Sequence, residues 1–218
     1  MDNHCCYREQ LSYALYAKFR EPKLFRMAVA GNWDKIPARC HSHPSEAAFV
    51  HKYPPADTAL HRMLRPAISS CNDTTEQSFD QKTLEKMNEM RIAAVFALLE
   101  ACPPSALVRD SFGRTPLHWA CMNVAAYNQH NAASLIINSC PKAVPILDSE
   151  HRTALHALVA HNIYVPIDIM SLLLEVDSSL KQKSDIVGET PSEIVERRRV
   201  EIQNSEVVLE LLNLASKK

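Results

Sequence analysis

Histidine and cysteine carry the reactive chemistry on offer in this chain. Cys40-His41-Ser42-His43 places three potential metal ligands within four residues, and His4-Cys5-Cys6 adds three more. Structural zinc is held by two ligand pairs, usually a C-x2–4-C set with a distant partner pair. No second pair stands here at a fixed spacing, so residues 40–43 read as a polar loop, with a zinc-dependent regulator as the rival reading. Cys121 follows His118 by three residues. On a helix both would share one face, which suits a Cys–His nucleophile. A buried thiol of that kind is inert, however, and His118 belongs to a pattern repeated at two other sites. Arg197-Arg198-Arg199 would serve as a nuclear address or a phosphate contact. Glu193, Glu196 and Glu201 surround it, and a solvated helix face with a Glu193–Arg197 pair accounts for it. Trp119 reads as core or groove wall. No catalytic, metal-binding or cofactor-binding residue is expected, and no cofactor.

Composition narrows the field further. Of 218 residues, 46% are hydrophobic and 22% charged, enough apolar material for a sizeable core. Only three glycines occur, Gly31, Gly113 and Gly188, where ordinary usage would give about fifteen. There is accordingly no glycine-rich dinucleotide or phosphate loop and no G-x-S-x-G elbow. Hairpin-rich β folds are disfavoured as well, because their tight turns want glycine. The net charge is −1, made of +4 over residues 1–66 and −5 over residues 67–218. The slightly basic first part is the sole support for a nucleic-acid-binding module. The seven cysteines are scattered and the first ten residues lack an apolar signal region. Reduced thiols in the cytoplasm are expected, with the nucleus left open. The best apolar run, Ile92 to Leu99, is eight residues long, well short of the roughly eighteen that span a membrane.

The elements that position these residues come from a repeat. D-S-F-G-R-T-P-L-H-W-A-C starts at Asp110, D-S-E-H-R-T-A-L-H-A-L-V at Asp148 and D-I-V-G-E-T-P-S-E-I-V at Asp185; a shorter copy, D-T-A-L-H-R-M-L, starts at Asp57. The threonines fall at Thr58, Thr115, Thr153 and Thr190, spaced 57, 38 and 37 residues apart. An apolar helical pattern precedes each later copy: Ala94 to Cys102, Ala133 to Cys140 and Ile169 to Glu175. Each unit therefore reads as a turn, a short helix begun at Thr, a loop, and a second helix. Thr at the N-cap accepts a bond from an orphan backbone N–H, and Pro at the next position loses nothing. Glu193 can return a bond to its cap, and His61, His118 and His156 stand three residues after their threonines in the same way. Leu60, Leu117 and Leu155 should point into the stack, and small Ala120 should let helices approach.

Thr115-Pro-Leu-His-Trp-Ala in a two-helix repeat resembles the hallmark of the ankyrin-repeat family, and Thr58-Ala-Leu-His and Thr153-Ala-Leu-His match it with one change. The resemblance covers about residues 24–216. It implies an all-α ankyrin-repeat solenoid of stacked helix-turn-helix units joined by short β-turn-like tips. The units are drawn as an N-terminal capping helix over 1–22, a degenerate first repeat over 23–56, and a second over 57–109 with a mobile insertion at 69–86. A third follows over 110–147, a fourth over 148–184 and a C-terminal capping repeat over 185–218. Tyr7 to Arg20 should cover one end, and Val207, Val208, Leu211, Leu212 and Leu214 should form the apolar face at the other. The units run longer than the family's repeat of about 33 residues, with extra length between the helices. The resemblance also implies a non-enzymatic scaffold or adaptor for a partner protein, monomeric, with no small-molecule, membrane or nucleic-acid ligand. The binding residues it points to are Ser111, Phe112, Arg114, Met122 and Asn123 in the third unit. In the fourth they are Ser149, Glu150, Arg152 and His161, and in the fifth Ile186, Val187 and Glu189. Arg114 and Arg152, at equivalent positions, are expected to meet an acidic stretch of the partner.

Overall fold

A computed structural model describes residues 21–51, 56–65, 81–124 and 130–214. Their regular elements are helices: α1 (Lys23–Val29), α2 (Ile36–Ser42), α3 (Ala59–Leu64), α4 (Gln81–Ala101), α5 (Pro116–Met122), α6 (His130–Ser139), α7 (Ala154–His161), α8 (Ile167–Val176), α9 (Pro191–Arg197) and α10 (Ser205–Leu214). Short 3-10 turns link them, and one isolated bridge joins Val50 to Thr58. The helices pair in sequence into five units. First helices stack as one row, α1 on α3 on α5 on α7 on α9; second helices stack as another, α2 on α4 on α6 on α8. A single pair cannot bury its apolar face, so stacking is what makes a core, and one apolar cluster runs from Leu24 to Leu212. The all-α repeat solenoid expected from the sequence is the fold observed.

The first helices α3, α5, α7 and α9 begin where the threonines place them, whereas α1 has Pro22 as its N-cap. Thr58, Thr115, Thr153 and Thr190 are extended N-caps. The hydroxyls of Thr58, Thr153 and Thr190 accept from the third helical N–H, at 3.3, 3.4 and 3.4 Å. In return the Nδ1 atoms of His61, His118 and His156 accept from the threonine N–H, each at 3.2 Å, and Glu193 does so at 2.7 Å. These reciprocal bonds form the capping box. Because Nδ1 accepts, the proton of the neutral ring belongs on Nε2. Nε2 of His61 donates to the Arg114 carbonyl at 3.1 Å, and that of His118 to the Arg152 carbonyl at 3.0 Å. One imidazole thus caps its own helix and ties it to the following unit. Nε2 of His156 faces the Glu189 and Lys183 carbonyls of the following unit, outside good hydrogen-bond geometry. Leu60, Leu117, Leu155 and Ala120 are buried as expected.

A second tie between units overturns one expectation. Asn123 is not on the surface. It is buried, and its Nδ2 donates to the carbonyls of Trp119 at 2.8 Å and Leu64 at 3.2 Å. Asn162 repeats this with Leu158 and Cys121, both at 2.8 Å, and Arg198 Nη1 donates to the Val159 carbonyl at 2.7 Å. Leu64, Cys121 and Val159 all stand six residues after their cap threonines. The last-turn carbonyls of a helix lack an intrahelical donor, and for α3, α5 and α7 the next unit supplies one.

Two further expectations change. The segment drawn as a loop over 69–86 is helical from Gln81 onward. Gln81, Lys82, Glu85 and Lys86 are strong helix formers, and Lys82, Glu85 and Lys86 lie on a solvated helix face. Residues 69–80 lie outside the described residues, as does the capping helix expected at Tyr7 to Arg20. At the other end Val208 and Leu212 are buried, but Val207 is exposed and Leu209 takes the inward place.

Four residues before Asp110, Asp148 and Asp185 stand Ala106, Val144 and Lys181. All three are buried, and Nζ of Lys181 has no hydrogen-bond partner among the described residues. An apolar position of the repeat thus holds an ammonium in the final unit. Lys181→Met is expected to raise stability by about 1 kcal/mol or more. A urea melt checks this: an unchanged or lowered midpoint means the ammonium is adequately solvated.

Candidate functional site

The turn tips are built on their aspartates. Asp110 Oδ1 accepts the N–H groups of Phe112 at 2.8 Å and Arg114 at 2.9 Å. Asp148 does the same for Glu150 and Arg152 at 2.8 and 2.9 Å, and Asp185 for Val187 and Glu189 at 2.9 and 3.0 Å. Neighbouring tips are joined through backbone. Ser149 N donates to Phe112 O at 3.0 Å, and Ile186 N to Glu150 O at 2.9 Å. Gly113 sits at φ +71°, and a Cβ there would meet Ser149 N at 2.7 Å. Only glycine satisfies both the positive φ and the close approach. The equivalent position of the fourth unit is His151, at φ +57°.

The second oxygen of each aspartate faces the unit before it. Asp110 Oδ2 meets Arg65 Nη2 at 3.0 Å and accepts from Trp119 Nε1 at 2.9 Å. Asp148 Oδ2 meets Arg114 Nε at 3.7 Å, and Asp185 Oδ2 meets Arg152 Nε at 3.5 Å. Arg152 also pairs with Glu150. Arg114 and Arg152 are therefore not free cations waiting for a partner; each already faces the next tip's carboxylate. The final tip has Glu189 where the others have Arg, and it pairs with Arg197 at 2.8 Å through both oxygens. The Glu193–Arg197 pair expected from the sequence is thereby replaced, since Glu193 is engaged with Thr190.

Among the binding residues expected from the sequence, Ser111, Phe112, Ser149, His161, Ile186 and Val187 are exposed. Phe112 is 53% exposed, Ile186 64% and Val187 73%. Glu150 and Glu189 are half-buried, and Met122 packs partly against the core. Sequence reasoning did not foresee the side-chain stack beside the third tip. The Arg65 guanidinium lies 4.4 Å from the Trp119 ring, and that of Arg114 lies 5.2 Å from Trp119 and 5.4 Å from Phe112. Arg and aromatic residues alternate in this stack, Arg65, Trp119, Arg114, Phe112, across the second and third units. Nearby, partial desolvation and then the charges of Arg114, Arg152 and Arg198 lower the pKa of His161.

Other arrangements are chemically quiet. Burial pushes the Cys121 thiol up to about 12, and His118 Nδ1 is occupied by Thr115, so this pair has neither thiolate nor free base. Cys40 is buried in the core, and burial, with a lesser contribution from Glu46, pushes its thiol up to about 11. No three His, Cys, Asp or Glu side chains converge as a metal would require among the described residues. An apolar groove of about 570 Å³ lies between α2 and α4, with Phe96 on its wall. No helix among the described residues is long and apolar enough to cross a membrane.

Comparison with known families decides what these units are. A family model described as ankyrin repeats, in three copies, matches residues 87–191. Those residues are ankyrin repeats. No curated protein matches it. Ankyrin repeats are generally protein–protein interaction modules, and in this chain the tips and the first-helix row carry the exposed apolar and cationic groups described above.

Proposed function

We propose that this chain is a non-enzymatic scaffold or adaptor that binds a partner protein through its turn tips and the adjoining first-helix face. The observation that carries the reading is the exposure of Phe112, Ile186 and Val187 on tips whose backbone is held by buried aspartates. Large apolar side chains with so little part in the core suit anchors on a rigid mount, where binding costs little ordering. We also read residues 23–56 as the first repeat and 185–218 as the closing one, on the helix pairs α1/α2 and α9/α10.

The test pairs partner identification with tip variants. A partner recovered by cross-linking and mass spectrometry is titrated against the full chain and against the Ile186→Ala/Val187→Ala variant. Binding is expected to weaken by about 2 kcal/mol or more with the urea midpoint unmoved. Equal binding by the variant removes the fifth tip from the surface.

A further inference from the structure

We propose that the apolar groove between α2 and α4 is the seat of the chain's own residues 7–20, docked there as an amphipathic helix. This reading is independent of the tips. The groove has Pro37, Cys40 and Pro44 on one wall and Ala93, Phe96 and Ala97 on the other, around about 570 Å³. Sites that bury an apolar ligand run from roughly 300 to 1,000 Å³. Phe96 is 46% exposed, and no other large apolar side chain described on α2, α4 or α6 is exposed. Ala93 and Ala97, one helical turn apart, leave room beside its ring for the side chains of a further helix.

The start of the described chain names the occupant. Leu24 N donates to Glu46 Oε2 at 2.9 Å, and Arg39 Nε donates to the same oxygen at 3.1 Å. Glu21 meets His51 at 2.9 Å. The beginning of α1 is thereby pinned to the turn Pro44–Ala48, whose first residue stands on the groove wall. Residues 1–20 therefore join the fold beside the Pro44 end of the groove, and Phe19 is within about 7 Å of chain from Glu21. Leu11, Ala14, Leu15 and Phe19 fall on one stripe of a helix. A helix over 7–20 reaches about 21 Å, and α2 spans about 10 Å, so Phe19 at the Pro44 end leaves Leu15 and Leu11 to follow the groove. Glu100 stands on the lining, and Lys18, next to Phe19, brings the opposite charge. Tethering decides between occupants. A segment joined directly to α1 meets the groove at an effective concentration in the millimolar range, which a second copy or a separate helix in dilute solution does not match.

The experiment places p-benzoylphenylalanine at position 96 of the full chain and maps the photoproducts by mass spectrometry, in an equal mixture of isotopically light and heavy protein. Cross-links to residues 7–20 within one isotopic chain are expected. Trypsin gives an independent readout, because Arg8, Lys18 and Arg20 lie in the segment. Cleavage there is expected to be about ten-fold or more slower in the unaltered chain than in Phe96→Asp or in Leu11→Asp/Leu15→Asp. Circular dichroism melts establish that both variants are folded. Absence of any product with residues 7–20, or equal cleavage of the unaltered chain and Phe96→Asp, overturns the proposal. Cross-links joining light to heavy chains also overturn it and assign the groove to a second copy. Protection lost in Leu11→Asp/Leu15→Asp but kept in Phe96→Asp overturns it by seating the segment elsewhere, as over the open end of the first unit. Each of these outcomes leaves the tip reading intact, since Ile186→Ala/Val187→Ala tests that reading separately.

Discussion

Leu117→Ala is expected to lower the unfolding free energy by about 2–5 kcal/mol, a large share of a total of about 5–15 kcal/mol. Leu117 is fully buried in α5, the middle of the first-helix row, where it packs between neighbouring units. Removing it leaves a cavity in a layer braced from both sides. The His61, His118 and Asn123 ties to adjacent units resist the collapse that would refill it, so the loss should fall toward the upper half of the range. Phe112→Ala, only five residues earlier, is the control. Its ring is half exposed and touches the Arg114 guanidinium, so its loss should cost less than about 1 kcal/mol. Urea melts read both effects. A Phe112→Ala midpoint as low as that of Leu117→Ala would make the tip part of the core and remove the main support for its role as an anchor.

Acidification supplies the second large effect. Burial is the leading cause that lowers the pKa of His61, to about 4, and of His118 and His156. The unfolded chain titrates these rings near the ordinary value of about 6.5. A lowered folded pKa means that the unfolded state binds protons first, so the stability they protect is intact above pH about 6.5 and is lost as pH falls toward about 4. Each ring in that window contributes a slope of up to about 1.4 kcal/mol per pH unit. The geometry gives the reason: a proton on Nδ1 would face the threonine N–H that the neutral nitrogen accepts. Chemical denaturation at intervals between pH 7 and pH 4 should show the decline well before carboxylate titration dominates. His118→Gln should make that decline shallower while lowering stability at pH 7 by about 1–3 kcal/mol, since the Arg152 carbonyl loses its donor while Gln keeps the return bond to Thr115. An unchanged slope in that variant would remove His118 from the titrating set.

Much of the architecture was legible because its determinants are local. A threonine followed by Pro or Ala, Leu and His sets a helix start within four residues, and the reciprocal bond at Glu193 was readable from the capping-box spacing alone. Asp five residues before Thr marked each tip, and the burial of Leu60, Leu117 and Leu155 followed from periodicity. The ankyrin resemblance pointed to Phe112, Ile186 and Val187 at the tips beside those aspartates, and all three are exposed.

Only the tertiary structure decided the functions of side chains that reach into the next unit. Asn123 looks like a loop residue in sequence, yet it satisfies a carbonyl 59 residues away. Arg114 and Arg152 look like free cations, yet each faces a carboxylate of the next tip. Nε2 of His61 finds its acceptor 53 residues on, and the Arg65–Trp119–Arg114–Phe112 stack joins two units. The physical reason is common to all of them. Capping and periodicity act over one helical turn, so the chain's own order encodes them. A last-turn carbonyl, a carboxylate's second oxygen or a guanidinium takes its partner from whatever the stacking of units brings alongside, and that registry exists only once the solenoid is assembled.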